Sequence, residues 1–178
     1  MEFTGERIIW RDPQKHLKEF RKHINWYMEA MEHAKNRRVI DAACGTGFGS
    51  LLLSTVAKEV MAVDIEDMAE QWDPLIGAAP GDLRFGTLDF ETEAVDFGGD
   101  LTVSIETIEH LANPEFFLEG LRTASLFFTI PCYGDKANKF HKIEYSEESA
   151  KELIERFFPH LEYRMENGHM IGIATKNI

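Results

Sequence analysis

The chain has only two cysteines in 178 residues. It has no apolar run of the roughly 20 residues needed to cross a bilayer, and no Pro- or Ser-rich stretch that reads as a linker. Each shortage excludes something. Cys44 and Cys132 show no C-x-x-C spacing and are too few for a disulfide framework, so both are expected as reduced structural thiols. The N-terminal "MEFTGERIIWRDPQK" lacks the basic-then-apolar order of a signal peptide, and a cytoplasmic location with no membrane partner is expected. Without linker or internal repeat, the chain reads as one domain.

Positive charge is also scarce. Lys and Arg number 19 against 31 Asp and Glu, for a formal net charge of −12. The short basic clusters are "KNRR" at 35–38 and "DKANKFHK" at 135–142. Binding along a nucleic acid needs clustered Lys and Arg, so extended nucleic-acid binding is disfavoured, while a local contact stays open.

What is present is an ordinary globular composition, 44% hydrophobic and 28% charged, with regular alternation of patterns. Leu17, Phe20, Ile24, Tyr27, Met28 and Met31 recur at helical spacing. "RRVIDAA", "KEVMAVD", "LRFGTLD", "DLTVSIE" and "SLFFTIP" read as strands. "FGSLLLSTVA", "NPEFFLEGLRTA" and "EESAKELIERFF" read as helices, the second capped by Asn113 with Pro114 at its first position and the third capped by Ser146. Asn167-Gly168 marks a hairpin between "HLEYRM" and "HMIGIATK". The pattern predicts an α/β fold: a three-layer sandwich around a mostly parallel seven-stranded sheet with a C-terminal antiparallel hairpin.

Ligands of such sheets bind beyond the carboxyl ends of the strands. Asp41, Asp64, Asp89 and Glu106 all fall at or near such ends, so the crevice calls for a cation or a hydrogen-bond donor. The loop "VIDAACGTGFGS" reads G-x-G-x-G, not G-x-G-x-x-G, and begins with an acid that would repel a pyrophosphate. S-adenosylmethionine answers both points, because it carries an ammonium and a sulfonium and no phosphate. Gly45 and Gly47 would let the backbone approach it, and Asp41 would favour its charge. Asp64 would accept from the ribose hydroxyls, and Asp89 from the adenine amino group, with Leu88 and Phe90 against the ring.

With those segments in hand, "VIDAACGTGFGS", "AVDIEDM", "GTLDFE" and "VSIETIEHL" resemble the successive motifs of class I S-adenosylmethionine-dependent methyltransferases, over roughly residues 37–178. The resemblance implies a Rossmann-like fold and adds Ala42, Ala43, Cys44, Thr46, Gly49, Ile65, Ile105 and Glu106 to the cofactor site. Ala42-Ala43 stands where the family often has a bulkier pair. The upstream "FTGER" is similar to a segment of small bacterial members and implies a lid over the cofactor, with Arg7 toward the methionine carboxylate. Residues 1–36 are then a lid segment and helix, and 37–178 the cofactor-binding domain.

Methyl transfer from a sulfonium needs mainly alignment, and a hydroxyl acceptor also needs its proton removed. Glu109 and His110 are the candidate catalytic residues. In a helical turn after the fourth strand, Glu106, Glu109 and His110 share one face and form a divalent-metal half-site. His141, in "FHKIEYS", is the candidate fourth ligand. The arrangement resembles the metal site of small-RNA 3′-terminal 2′-O-methyltransferases and part of that in ubiquinone-biosynthesis O-methyltransferases. The other reading is that Glu109 and His110 only shape the acceptor pocket. "YGDKANKFHKIEY" is the one sizeable insertion available for acceptor contacts. The sequence leaves the acceptor's class and the oligomeric state open. The reading is a methyltransferase acting on a hydroxyl, with two rivals: a non-catalytic cofactor-binding module working through a partner, and a nicotinamide-dependent oxidoreductase.

Overall fold

The computed structural model describes residues 17–95, 97–132 and 139–176. Its first element is an amphipathic helix, α1 (Leu17–Ala34), which buries Trp26, Tyr27, Ala30 and Ala34. There follow β1 (Arg38–Ala42), α2 (Phe48–Ser54), β2 (Glu59–Asp64), α3 (Ala69–Ala78), β3 (Asp82–Thr87) and β4 (Leu101–Ile105). A 3-10 turn (Ile108–His110) leads to α4 (Pro114–Gly120), β5 (Ser125–Pro131), α5 (Glu147–Phe157), β6 (His160–Glu166) and β7 (His169–Thr175). No helix among the described residues is long and apolar enough to cross a membrane.

The seven strands form one sheet in the order β3-β2-β1-β4-β5-β7-β6. The first five are parallel, and β7 runs antiparallel between β5 and β6. The expected parallel sheet with a terminal antiparallel hairpin is therefore what the chain adopts. Successive residues of β5 serve opposite layers: Phe127 belongs to the core under α1, α2 and α3, and Phe128 to the core under α4 and α5. Helices on both faces explain why β4 and β5 are buried along their whole length and read as continuous apolar runs.

Local chemistry sets the boundaries. The Asn113 side chain accepts from the Phe116 amide at 3.2 Å, with Pro114 opening α4. Ser146 and Ser149 exchange reciprocal bonds at the start of α5. Asn167 and Gly168 both take positive φ, 50° and 79°, as a two-residue hairpin with matching twist demands. The helix α3 has no counterpart in the sequence reading. It carries Pro74, lacks a side-chain cap and buries only Trp72 and Leu75, so its periodicity is faint. The helix α4 stops at Gly120, short of the expected "LRTA", because Leu121 turns extended at ψ 124°.

The chain winds outward from β1 to β3 and then crosses back to β4. That reversal leaves β1 and β4 as neighbours whose outgoing loops part to opposite faces. It opens a crevice at their carboxyl ends.

Candidate functional site

Three positive-φ residues shape the loop after β1: Ala43 at 58°, Gly45 at 55° and Gly47 at 82°. The Cys44 amide donates to the Val63 carbonyl at 3.0 Å, stitching the loop to β2. A Cβ on Gly47 would lie 2.6 Å from the Phe85 ring, whereas one on Gly45 would meet nothing within 4 Å. Gly45 therefore presents open backbone. Its amide donates to Oδ2 of Asp64 at 2.9 Å, and the Glu66 amide donates to Oδ1 at 3.2 Å. The Gly45 carbonyl accepts from the Trp72 indole at 3.0 Å, and Trp72 stacks on Phe85 at 5.0 Å. Beside Asp64, Ile65 is an apolar side chain left 58% exposed. Gly45, Asp64 and Ile65 thus lie together past the carboxyl ends of β1 and β2, with Asp64 itself buried, and Trp72, which sequence reasoning missed, pins Gly45.

The structure corrects the reading of Asp41. Its side chain is fully buried beneath the loop rather than directed at a ligand. Oδ1 accepts from the Tyr27 hydroxyl at 3.1 Å and Oδ2 from the Ser50 hydroxyl at 2.6 Å. Burial pushes its pKa up to about 7, against the pull of those two hydroxyls. Gly49 is likewise reassigned. A Cβ there would overlap the Tyr27 ring, so this glycine serves the contact of α1 with α2.

Leu88 and Phe90 pack into the core, Phe90 edge-on to Phe117 at 5.0 Å, instead of facing an open ring site. Asp89 between them is half-buried; its Oδ1 accepts from the Glu91 amide at 2.9 Å. Ala42, Cys44, Thr46 and Ile105 are buried and Ala43 half-buried. Arg7 and the expected lid lie outside the described residues.

On the β4 side, Thr107 donates to the carbonyls of Ala42 (3.4 Å) and Ile105 (3.2 Å), tying the two strand ends together. Glu106 has a left-handed backbone, φ 51°, held by its amide donating to the Thr129 hydroxyl at 3.0 Å. Its carboxylate lies 3.3 Å from Lys22 Nζ and 3.4 Å from His169 Nε2. Burial works to raise the Glu106 pKa, but His169, Lys22 and His23 outweigh it and hold the group well down.

The 3-10 turn then drives Glu109 inward. It is fully buried, and neither carboxylate oxygen has a hydrogen-bond partner among the described residues. Burial first, and the Glu106 charge second, push its pKa well above the usual range. The Glu109 carbonyl accepts from the amides of Lys142 (2.8 Å) and Ile143 (3.2 Å), which draws in His141. One ligand atom each of Glu109, His110 and His141 lie within 4.8 Å of one another. The His110 Nδ1 donates to the Phe140 carbonyl at 3.1 Å and turns Nε2 toward Glu109 Oε1 at 3.9 Å. Glu106, expected as a fourth member, is absent from this group. Its left-handed backbone and the cations of α1 and β7 direct it elsewhere. Sequence spacing could not have found Lys22 or His169.

No family profile matches the chain. A curated relative from Mycolicibacterium smegmatis, a probable S-adenosylmethionine-dependent methyltransferase, is 27% identical over 183 aligned positions, covering 96% of this chain and 70% of that protein. A second of the same description, from Mycobacterium tuberculosis, is 31% identical over 114 positions. That match covers 61% of this chain and 38% of the relative. Among solved structures, the DhpI complex with S-adenosylhomocysteine superposes with a TM-score of 0.74 at 15% identity, covering 94% of this chain and 90% of the other. The methyltransferase domain of bacterial CtHen1-C superposes at 0.66 and 20% identity, covering 85% and 97%. At such identities the superpositions show a common fold.

Proposed function

We propose that this chain, a class I S-adenosylmethionine-dependent methyltransferase, methylates a hydroxyl of its acceptor at the rim formed by Glu109, His110 and His141. Asp64 would receive the ribose hydroxyls, Ile65 would cover the adenine, and the open backbone at Gly45 would border the methionine portion. Asp89, half-buried past β3, remains the candidate for the adenine amino group.

The observation that carries the acceptor reading is Glu109: a buried carboxylate with two unsatisfied oxygens facing two imidazoles. Buried polar atoms are seldom left without partners. One carboxylate oxygen and two imidazole nitrogens fit a divalent cation, and the bond from His110 to the Phe140 carbonyl orients its ring as metal-binding histidines are oriented. Bound there, a cation would lower the pKa of the acceptor hydroxyl. The chain's own task is alignment. An oxygen–carbon bond forms as the carbon–sulfur bond breaks, the hydroxyl proton, made more acidic by the cation, is lost to solvent water, and S-adenosylhomocysteine leaves.

Two measurements test this. In calorimetry, S-adenosylhomocysteine should bind and nicotinamide dinucleotides should not; the reverse result overturns the cofactor reading. Transfer of labelled methyl to a panel of hydroxyl acceptors should stop in excess chelator and return with added Mg²⁺, Mn²⁺, Fe²⁺ or Zn²⁺. Full turnover in chelator removes the cation and leaves His110 or Glu109 as a general base.

A further inference from the structure

The strand β6 closes one side of the sheet, with β7 as its single neighbour among the described residues. All seven of its residues are paired to β7 in unbroken register. Edge strands are usually guarded by charges of one sign such as a row of lysines, by proline or by a bulge, and the charges of β6 are of both signs. "HLEYRME" has none of these, and six of its seven residues are exposed. Two of its apolar members are exposed with it, Tyr163 at 36% and Met165 at 38%, while Leu161 is half-buried.

The strand is also complementary to itself. Leu161, Tyr163 and Met165 lie on the α5 face, where Tyr163 donates to Glu147 at 3.0 Å. His160, Glu162, Arg164 and Glu166 lie on the α1 face, where Arg164 pairs with Glu29. Two copies related by a two-fold axis normal to the sheet keep like faces together only in registers that pair odd with odd and even with even positions. Centred on Tyr163, such a pairing sets Glu162 against Arg164, Leu161 against Met165 and His160 against Glu166. Centring on Glu162 sets Glu162 against its own copy, and centring on Arg164 sets arginine against arginine. Like charges directly opposite destabilise a ladder, so one register is favoured over both neighbours. Arg164 uses three nitrogens on Glu29 and Glu166, and a guanidinium has five N–H donors. Two remain for the facing Glu162. The Glu162 carboxylate has no partner among the described residues, so none of those competes for it.

We infer that β6 is a homodimer edge: two copies of this chain join β6 to β6 antiparallel about Tyr163, making one continuous fourteen-stranded sheet. This rests on the fold alone and stands apart from the acceptor reading.

Sedimentation equilibrium of the full chain should give twice the 20.4 kDa mass. Glu162→Arg sets arginine against arginine at both ends of the seam and should raise the dimer dissociation constant about ten-fold or more. Arg164→Glu should do the same. Mixing the two variants should restore dimers, because each supplies what the other lacks. Tyr163→Cys should cross-link under mild oxidant, since residues at the two-fold lie within disulfide reach, and Met165→Cys should not. A monomeric parent chain, a dimer indifferent to Glu162→Arg, or mixed variants that stay apart while both remain folded would each overturn the proposal.

Discussion

The hydroxyl of Tyr27 donates to Oδ1 of Asp41 at 3.1 Å, linking α1 to the end of β1 under the glycine loop. This bond turns the acid of the glycine motif from a ligand contact into a keystone between helix and sheet.

The pH dependence of stability follows from that burial. Asp41 has its pKa raised from 3.8 to about 7. A raised folded-state pKa means that the group's stabilising contribution is complete below about pH 4 and is lost as pH rises through about 7. In urea titrations across that window, Asp41→Asn should be less sensitive to rising pH than the parent. Equal slopes would place the carboxylate in contact with water. Tyr27→Phe should cost about 1–3 kcal/mol by leaving an acceptor short of a donor.

Gly49→Ala is expected to destabilise by about 1–3 kcal/mol, the usual cost of overpacking. The added methyl has no room beside the Tyr27 ring. Urea midpoints read this directly, and cofactor affinity per folded molecule should change little. A loss of affinity with unchanged stability would return Gly49 to the cofactor site.

Asp64→Ala should weaken S-adenosylhomocysteine binding by roughly 1.5–3 kcal/mol, the range for hydrogen bonds to a charged partner. Part of that loss will come from the Gly45 amide, which Asp64 now holds at 2.9 Å. Calorimetry at fixed pH checks it, and unchanged affinity would move the ribose contact elsewhere.

Glu109→Gln keeps the shape of the rim while removing its carboxylate. Turnover should fall about a hundred-fold or more, because the rim loses the carboxylate that would hold the cation, and cofactor affinity should stay within about two-fold. Because Glu109 is buried with its pKa raised, the variant should be no less stable than the parent in chelator. Full activity would limit Glu109 to shaping the pocket.

Apart from α3, sequence alone determined the alternation of strands and helices, because a two-residue period, a helical period and the caps at Asn113 and Ser146 are local properties of the chain. It also determined the glycine loop, since Gly45 and Gly47 adopt conformations that side chains disfavour. Tertiary structure decided what those residues face. Asp41, Gly49 and Phe90 sit in motif positions, yet their surroundings are Tyr27, Ser50 and Phe117, which come from other elements. Glu106 and Glu109 are three positions apart, and one is drawn to Lys22 and His169 while the other is sealed in beside His110 and His141. The separation arises from a left-handed residue, a 3-10 turn and the amides of Lys142 and Ile143 closing on the Glu109 carbonyl. Burial and charge at a site depend on neighbours brought from other elements, from 9 positions away for Ser50 and Asp41 to 84 for Lys22 and Glu106, and no local pattern encodes which neighbours those are.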